Sequence, residues 1–264
     1  MTATLMADAV ELAYDERVIS TDLTVGIPEH EFTVVIGPNA CGKSTLLKAL
    51  ARLLPPRDGH VTLDGRDVKA FGSKEFARAL ALLPQSSQAP AGISVSDLVA
   101  RGRFPHQRFL QQWSAADEAA IARAMTATGV DELALRPVDE LSGGQRQRAW
   151  LAMVLAQDAP ITVLDEPTTF LDIAHQIEVL DLCESLHAEG GRTIVAVLHD
   201  LNQAARYGTH IIAMKDGEVV AEGVPDEVIT VDLVAEVFGV RARILVEPES
   251  GSPFVMPLGL VGRP

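Results

Sequence analysis

With 264 residues, 47% of them apolar and 22% charged, the chain has the composition of a folded globular protein, with room for one large domain or a domain carrying an insertion. A net charge of −14 excludes a nucleic-acid backbone as the main partner, because that contact depends on clustered basic side chains that release counterions. No apolar run reaches the roughly 18 residues of a bilayer span, residues 1–10 lack the basic start and apolar core of a secretion signal, and Cys41 and Cys183 match no metal-ligand spacing, which points to a reduced, cytosolic chain.

Phe32–Ile36 is rich in β-branched residues and closed by Gly37, the pattern of a buried strand. Helical spacing follows over 42–54, up to Pro55 and Pro56, which stop a helix. Residues 61–63 read as a strand running into the hairpin pair Asp64-Gly65. Between 84 and 141 Ala-rich helical segments dominate and β-branched runs are scarce. Ser114 and Asp117 there have capping-box spacing, with Asp in place of the usual Glu. Three further short strands are expected at 161–164, 193–198 and 211–214, with helices between them. The alternation predicts an α/β core, and the 84–141 stretch a helical subdomain inserted into it.

Between the first strand and the first helix lies Gly37-Pro38-Asn39-Ala40-Cys41-Gly42-Lys43-Ser44, which fits G-x-x-x-x-G-K-[ST] in the required context. Glycines let backbone approach phosphate, and N–H groups at a helix start point at the anion. Lys43 is placed to reach β- and γ-phosphates and the Ser44 hydroxyl to bind Mg²⁺. The loop specifies a nucleoside triphosphate, and no more than that. Cys41, beside Lys43 and a helix start, reads either as a reactive thiolate or as a small buried side chain.

Two further segments narrow the class. Leu141-Ser142-Gly143-Gly144-Gln145 precedes a helical run, and its glycine pair and hydroxyl suit a second phosphate contact. Residues 161–166 form an apolar strand ending in Asp165-Glu166. Taken alone such a pair is usually a solvated strand end. Following the other two motifs in order, Asp165 is placed to hold Mg²⁺ and Glu166 to act on a water as general base.

In the order Tyr14, phosphate loop, Gln85, Leu141 to Gln145, Asp165-Glu166, Leu171-Asp172 and His199, the chain resembles the ABC-type ATPases over nearly its full length. The resemblance implies a P-loop NTPase (RecA-like) α/β core with an antiparallel β subdomain and an inserted α-helical subdomain. The core would comprise 1–85 and 160–240, the helical signature subdomain 86–158, and a C-terminal tail 241–264. It implies ATP and Mg²⁺ as cofactors and assigns Gly37, Pro38, Asn39, Ala40, Cys41, Gly42, Lys43, Ser44 and Thr45 to the phosphates. Tyr14 would stack on adenine, Gln85 would contact Mg²⁺ or the attacking water, and His199 would bond the γ-phosphate. Asp172 would lie at a dimer interface. Two subunits would face opposite ways, each ATP being held by one phosphate loop and the partner's Ser142, Gly143, Gly144 and Gln145.

Four stretches look like the branch that imports ferric siderophores, haem and vitamin B12. They are Val99-Ala100-Arg101-Gly102-Arg103-Phe104-Pro105-His106, Thr168-Thr169-Phe170-Leu171-Asp172-Ile173-Ala174-His175-Gln176, residues 199–207 and Val237-Phe238-Gly239-Val240. The implied partners are a second ATPase subunit, a transmembrane permease dimer and, indirectly, an extracytoplasmic binding protein, at the cytoplasmic face of the membrane. Arg101 and Arg103 would either dock a permease loop or form a solvated helix face. The rival reading is a soluble ABC ATPase of iron–sulfur cluster assembly. DNA-repair members need coiled-coil insertions for which the chain has no room, and a regulatory module would lack Glu166 or His199. Among importers, haem and vitamin B12 remain open as cargo beside a ferric siderophore.

Overall fold

The protein is described from a computed structural model covering residues 3–85, 88–107, 113–169 and 171–262, so Phe170 of the quoted motif lies outside the described residues. The chain forms two compact units, Met1–Ala70 with Thr193–Pro264, and Phe71–Arg192. In the first, β1 (Ala3–Tyr14) and β2 (Arg17–Pro28) pair antiparallel. Next come β3 (Phe32–Ile36), α1 (Lys43–Leu50), β4 (Asp58–Leu63) and β5 (Arg66–Asp67). Strands β2, β1, β4 and β5 form the expected antiparallel sheet, with Leu5, Ala7, Val10 and Leu12 of β1 buried. The β4–β5 hairpin turns at Asp64-Gly65, as the sequence indicates.

Helix α1 stops at Leu50, four residues short of the expected 54. Arg52 takes a left-handed backbone, φ 60°, and the N–H groups of Leu53 and Leu54 both turn back to the Lys48 carbonyl. These bonds satisfy the helix end before the prolines are reached.

The second unit contains α2 (Ser73–Ala79), β6 (Leu80–Leu83), α3 (Val95–Ala100), α4 (Ala115–Ala127), α5 (Gly143–Ala156), β7 (Ile161–Asp165) and α6 (Ile173–Gly190). Strands β6 and β7 run parallel in the register Leu80↔Ile161 to Leu83↔Leu164. The Ser114–Asp117 capping box is present, and Asp117 does a second job. Its Oδ1 accepts from Arg103 Nε at 2.8 Å, while Arg103 Nη1 donates to the Ala156 carbonyl at 2.8 Å. Both side chains of this ion pair are 8% exposed. Arg103 therefore cannot dock a permease loop: it is committed inward, and of the two arginines only Arg101 is exposed.

The chain then returns to the first unit with β8 (Thr193–Val197), α7 (Leu201–Tyr207), β9 (His210–Lys215), β10 (Glu218–Gly223), α8 (Pro225–Val228) and α9 (Val231–Phe238). Within this unit the strand order is β10, β9, β3, β8, with β3 parallel to both neighbours. All five residues of β3 and of β8 are buried, as apolar strands with both faces covered require. Within the stretch 241–264, read only as a tail, residues 241–260 fold with Val240 into a hairpin of β11 (Val240–Val246) and β12 (Pro253–Leu260). Its inner face joins Ala205, Ile229 and Val234 through Ala242 and Val255. Asn202 holds β12 as a strand neighbour would, accepting from Val255 N at 2.7 Å and donating to its carbonyl at 3.4 Å.

Asp117→Ala leaves the Arg103 guanidinium buried without its counter-ion and should destabilise the fold by about 3–5 kcal/mol in denaturant titrations. Burial raises the Asp117 carboxyl, but hydrogen bonds from Arg103 and Ser114 outweigh it and hold the group below its ordinary range. The stabilisation is thus complete above the unfolded-state value and disappears as pH falls through the lowered native one. The wild-type advantage over the alanine variant should shrink only in that acidic window.

Candidate nucleotide site

Strands β3 and β8 end level with each other, Val35 opposite Val197. Gly37 and His199 therefore leave the sheet side by side at its carboxyl edge, where open α/β sheets bind ligands. Gly37 has φ 151°, and a Cβ there would sit 2.2 Å from the Met214 carbonyl oxygen of β9, so only glycine fits. The chain then arcs through Pro38 and the exposed Asn39 and Ala40 into Gly42, φ 108°, and α1. The Gly217 N–H of the β9–β10 turn donates to the Cys41 carbonyl at 3.0 Å and pins the arc from behind. Lys43 is buried along its stem, and its Nζ donates to the Gly37 and Pro38 carbonyls at 2.8 Å each. Ser44 is half-buried and Thr45 buried in the first turn. No side chain caps the start of α1, the end of a helix at which N–H groups and the helix dipole favour an anion.

Tyr14 ends β1 with 40% of its surface exposed, more than a core tyrosine would show. Its hydroxyl accepts from Lys48 Nζ at 3.2 Å, and the same ammonium lies 5.5 Å from the ring centroid. Lys48, which the sequence did not single out, thus orients the aromatic ring.

Cys41 does not match the thiolate reading. It is 4% exposed, and burial pushes its thiol up more than the nearby Lys43 ammonium draws it down. Cys183 is fully enclosed and pushed up to about 12.

The second unit carries the other predicted residues. Because Leu83 pairs with Leu164, Gln85 and the Asp165-Glu166 pair emerge from adjacent strand ends. Asp165 is buried; Glu166 is half-buried in a left-handed backbone, φ 55°, and accepts from Thr169 Oγ1 at 3.0 Å. Such a conformation in a non-glycine residue costs of order 1 kcal/mol and turns the carboxylate away from the line of the strand. Ser142 caps α5: its hydroxyl accepts from Gln145 N at 3.3 Å, and Gln145 Oε1 accepts from Ser142 N at 3.2 Å. Gly143 and Gly144 thereby expose a bare first helical turn. A Cβ on Gly144 would press to 3.2 Å of Leu171 Cδ2, so that glycine also lets the segment before Asp172 pack against α5.

Asp172 caps α6, accepting from His175 N at 3.0 Å and lying 2.7 Å from His175 Nδ1. These contacts hold its carboxyl below its ordinary range. Ser142, Gly144, Gln145, Leu171 and Asp172 share one small cavity, about 180 Å³, with Arg148 and His175. Gln147 ties α5 to the Pro167 carbonyl at 3.1 Å, just after the carboxylate pair. Sequence reasoning gave Gln147, Arg148 and His175 no role; the i, i+3 spacing of Asp172 and His175 was the one available signal. Elsewhere in this unit an open groove of about 550 Å³ is lined by Asp97, Ala100, Arg101, Phe104, Gln107 and Trp113.

The family model described as "ABC transporter" matches residues 20–169. The chain belongs to the ABC transporter family. As a member it is an ATP-binding, ATP-hydrolysing cassette. It is 51% identical over 257 residues to the ferric enterobactin transport ATP-binding protein FepC of Escherichia coli K12, covering 97% of this chain and 95% of FepC. It is also 51% identical to YusV of Bacillus subtilis 168, named for a siderophore transport system, with 97% and 93% covered. The dimeric ABC transporter cassette MJ0796 superposes with TM-score 0.75 at 27% identity, over 83% of this chain and 98% of that one. A second dimeric MJ0796 structure, in a post-hydrolysis state bound to ADP and Pi, gives 0.74 at 28% over the same shares. Among the described residues no helix is long and apolar enough to cross a membrane.

The burial of both thiols sets an expectation for modification. Maleimide should label the native protein at neutral pH at least about tenfold more slowly than the unfolded chain, since the thiolate is the reactive form. Stopped-flow or mass-spectrometric labelling with and without urea measures this directly.

Proposed function

We propose that the chain is the ATPase subunit of an importer for ferric siderophores, working as a head-to-tail dimer beneath a transmembrane permease at the cytoplasmic face of the membrane. The observation that carries the cargo class is half-identity over essentially the whole chain to proteins named for ferric enterobactin and siderophore transport. An extracytoplasmic binding protein would deliver the chelate to the permease. The 86–158 stretch would serve as the signature subdomain, beside a core of 1–85 and 160–240. Its groove with exposed Arg101 and Phe104 is the surface offered to the permease.

The residues suit a Mg²⁺–triphosphate. Gly37 leaves space that any side chain would fill, and the uncapped N–H groups of α1 and the Lys43 ammonium supply positive potential. Ser44 and Asp165, with Gln85, would hold Mg²⁺, which neutralises charge on the β- and γ-oxygens when bound. Glu166, displaced from the strand line by its backbone, would accept the proton of the attacking water while His199 donates to the γ-phosphate. Tyr14, steadied by Lys48, would stack on adenine. The first turn of α5, from Ser142 to Gln145, would present its N–H groups and hydroxyl to the nucleotide of the partner subunit. Asp172, fixed by His175, would line that dimer contact.

Glu166→Gln should still bind ATP yet hydrolyse it about 10²–10⁴-fold more slowly in steady state, as expected for loss of a general base. A rate within about threefold of wild type would remove Glu166 from that role. In the same background ATP should accumulate a dimer on size exclusion. Adding Ser142→Arg should leave a monomer that still binds fluorescent nucleotide, since it obstructs only the partner's site. In cells, Lys43→Ala should abolish uptake of labelled ferric siderophore. Normal siderophore uptake with loss of haem or vitamin B12 uptake instead would reassign the cargo.

A further inference from the structure

His199 lies two residues past β8, and Asp200 alone separates it from α7, so its backbone is set by what holds the chain on either side. On the strand side the hold is the sheet itself. Leu198, 1% exposed, extends the ladder by donating its N–H to the Val35 carbonyl at 3.4 Å. On the helix side Asp200 caps α7, its Oδ1 accepting from Asn202 N at 2.8 Å and from Gln203 N at 3.1 Å. That cap closes the first turn but does not aim it. A helix of seven residues is too short to hold its direction unaided, so the aim comes from packing.

The first turn of α7 meets the C-terminal hairpin through two different contacts. Leu201 packs on the apolar cluster of Ala205, Ile229, Val234, Ala242 and Val255. Beside it, the Asn202 amide takes both backbone polar groups of a single β12 residue. Its Oδ1 accepts from Val255 N at 2.7 Å, and its Nδ2 donates to the Val255 carbonyl at 3.4 Å. Val255 is 5% exposed and pairs with Ile244 of β11, so the anchor is part of a formed hairpin. Apolar packing is non-directional and lets a helix turn on its support. A two-point bond to one residue's backbone is directional and fixes the register. The bond joins positions 53 residues apart, and Asn202 stands three residues from His199.

We propose that the β11–β12 hairpin is a positioning element for His199, and that Asn202 is the positioning residue through which it acts. The amide holds the first turn of α7 at the angle from which His199 meets the γ-phosphate. Without it the turn rotates on the apolar cluster, and His199 misses the geometry of the transition state. Nucleotide binding is spared, because the phosphate loop is pinned by the Gly217 N–H of the β9–β10 turn and not by the hairpin. The inference rests on the role proposed above for His199.

Hydrolysis rates and fluorescent-nucleotide titrations of the full chain test it. Asn202→Ala should lower kcat about tenfold or more while the nucleotide Kd stays within about twofold, the split expected when only transition-state geometry is lost. Asn202→Asp keeps an acceptor for the Val255 N–H and should be slowed by less than about threefold. A double-mutant cycle separates positioning from general damage to the fold. His199→Ala should be slow in single-turnover assays, and adding Asn202→Ala should slow it by no more than about twofold, since the group being positioned is already gone. The positioning role would be overturned, with the assignment of His199 left standing, by any of four results. These are a rate unchanged in Asn202→Ala, an equal fall in nucleotide affinity, an Asn202→Asp chain as slow as the alanine variant, or a full additive loss in the double variant. A His199→Ala rate within about threefold of wild type would instead remove the His199 assignment, and the positioning role with it.

Discussion

The turn after β3 passes so close to β9 that position 37 has no room for a Cβ, and the geometry of the phosphate loop depends on that approach. A side chain there would drive into the Met214 carbonyl at 2.2 Å and lift the loop off the sheet. With glycine the turn can approach β9, the Gly217 N–H pins the Cys41 carbonyl, and α1 starts without a side-chain cap. Under the proposed assignment, a loop held in this way leaves little reorganisation for the binding step. The same closeness buries Cys41, and that burial decides the state of its thiol.

The second unit achieves comparable rigidity by another device. A reciprocal cap between Ser142 and Gln145 fixes the first turn of α5. Gly144 admits Leu171 against that turn, and Gln147 grips the Pro167 carbonyl. One helix end is thereby coupled to the segment that leaves Asp165 and Glu166 and ends at Asp172. A shift of α5 would be felt both at the signature residues and beside the carboxylates, because they share these contacts. His175 adds a further constraint by holding the Asp172 carboxylate from the next turn.

The two neighbouring arginines of the 99–106 stretch show how little charge says about position. Arg101 faces solvent at the groove, while Arg103, two residues on, turns inward to Asp117 and the Ala156 carbonyl. Desolvating such a pair is tolerable only because both ends of the guanidinium find partners. Asp117 itself was legible as a capping residue, since that bond is local. Its second bond, to a residue fourteen positions away, was not.

By itself the sequence determined the strands and helices that carry the motifs, the Ser114 cap, the Asp64-Gly65 turn and the family. These rest on short-range rules: side-chain periodicity, fixed turn chemistry and the spacing of residues around a strand or helix end. Tertiary structure alone decided that α1 ends at Leu50, that Arg103 and Cys41 are buried, and that Lys48, Gln147 and His175 steady the residues around them. It also made a two-faced hairpin of a stretch that read as a tail, because the inner face of 241–260 finds its cover on α7 and α9. Each of these outcomes depends on partners distant in sequence or on burial, and neither is written in the local pattern of residues.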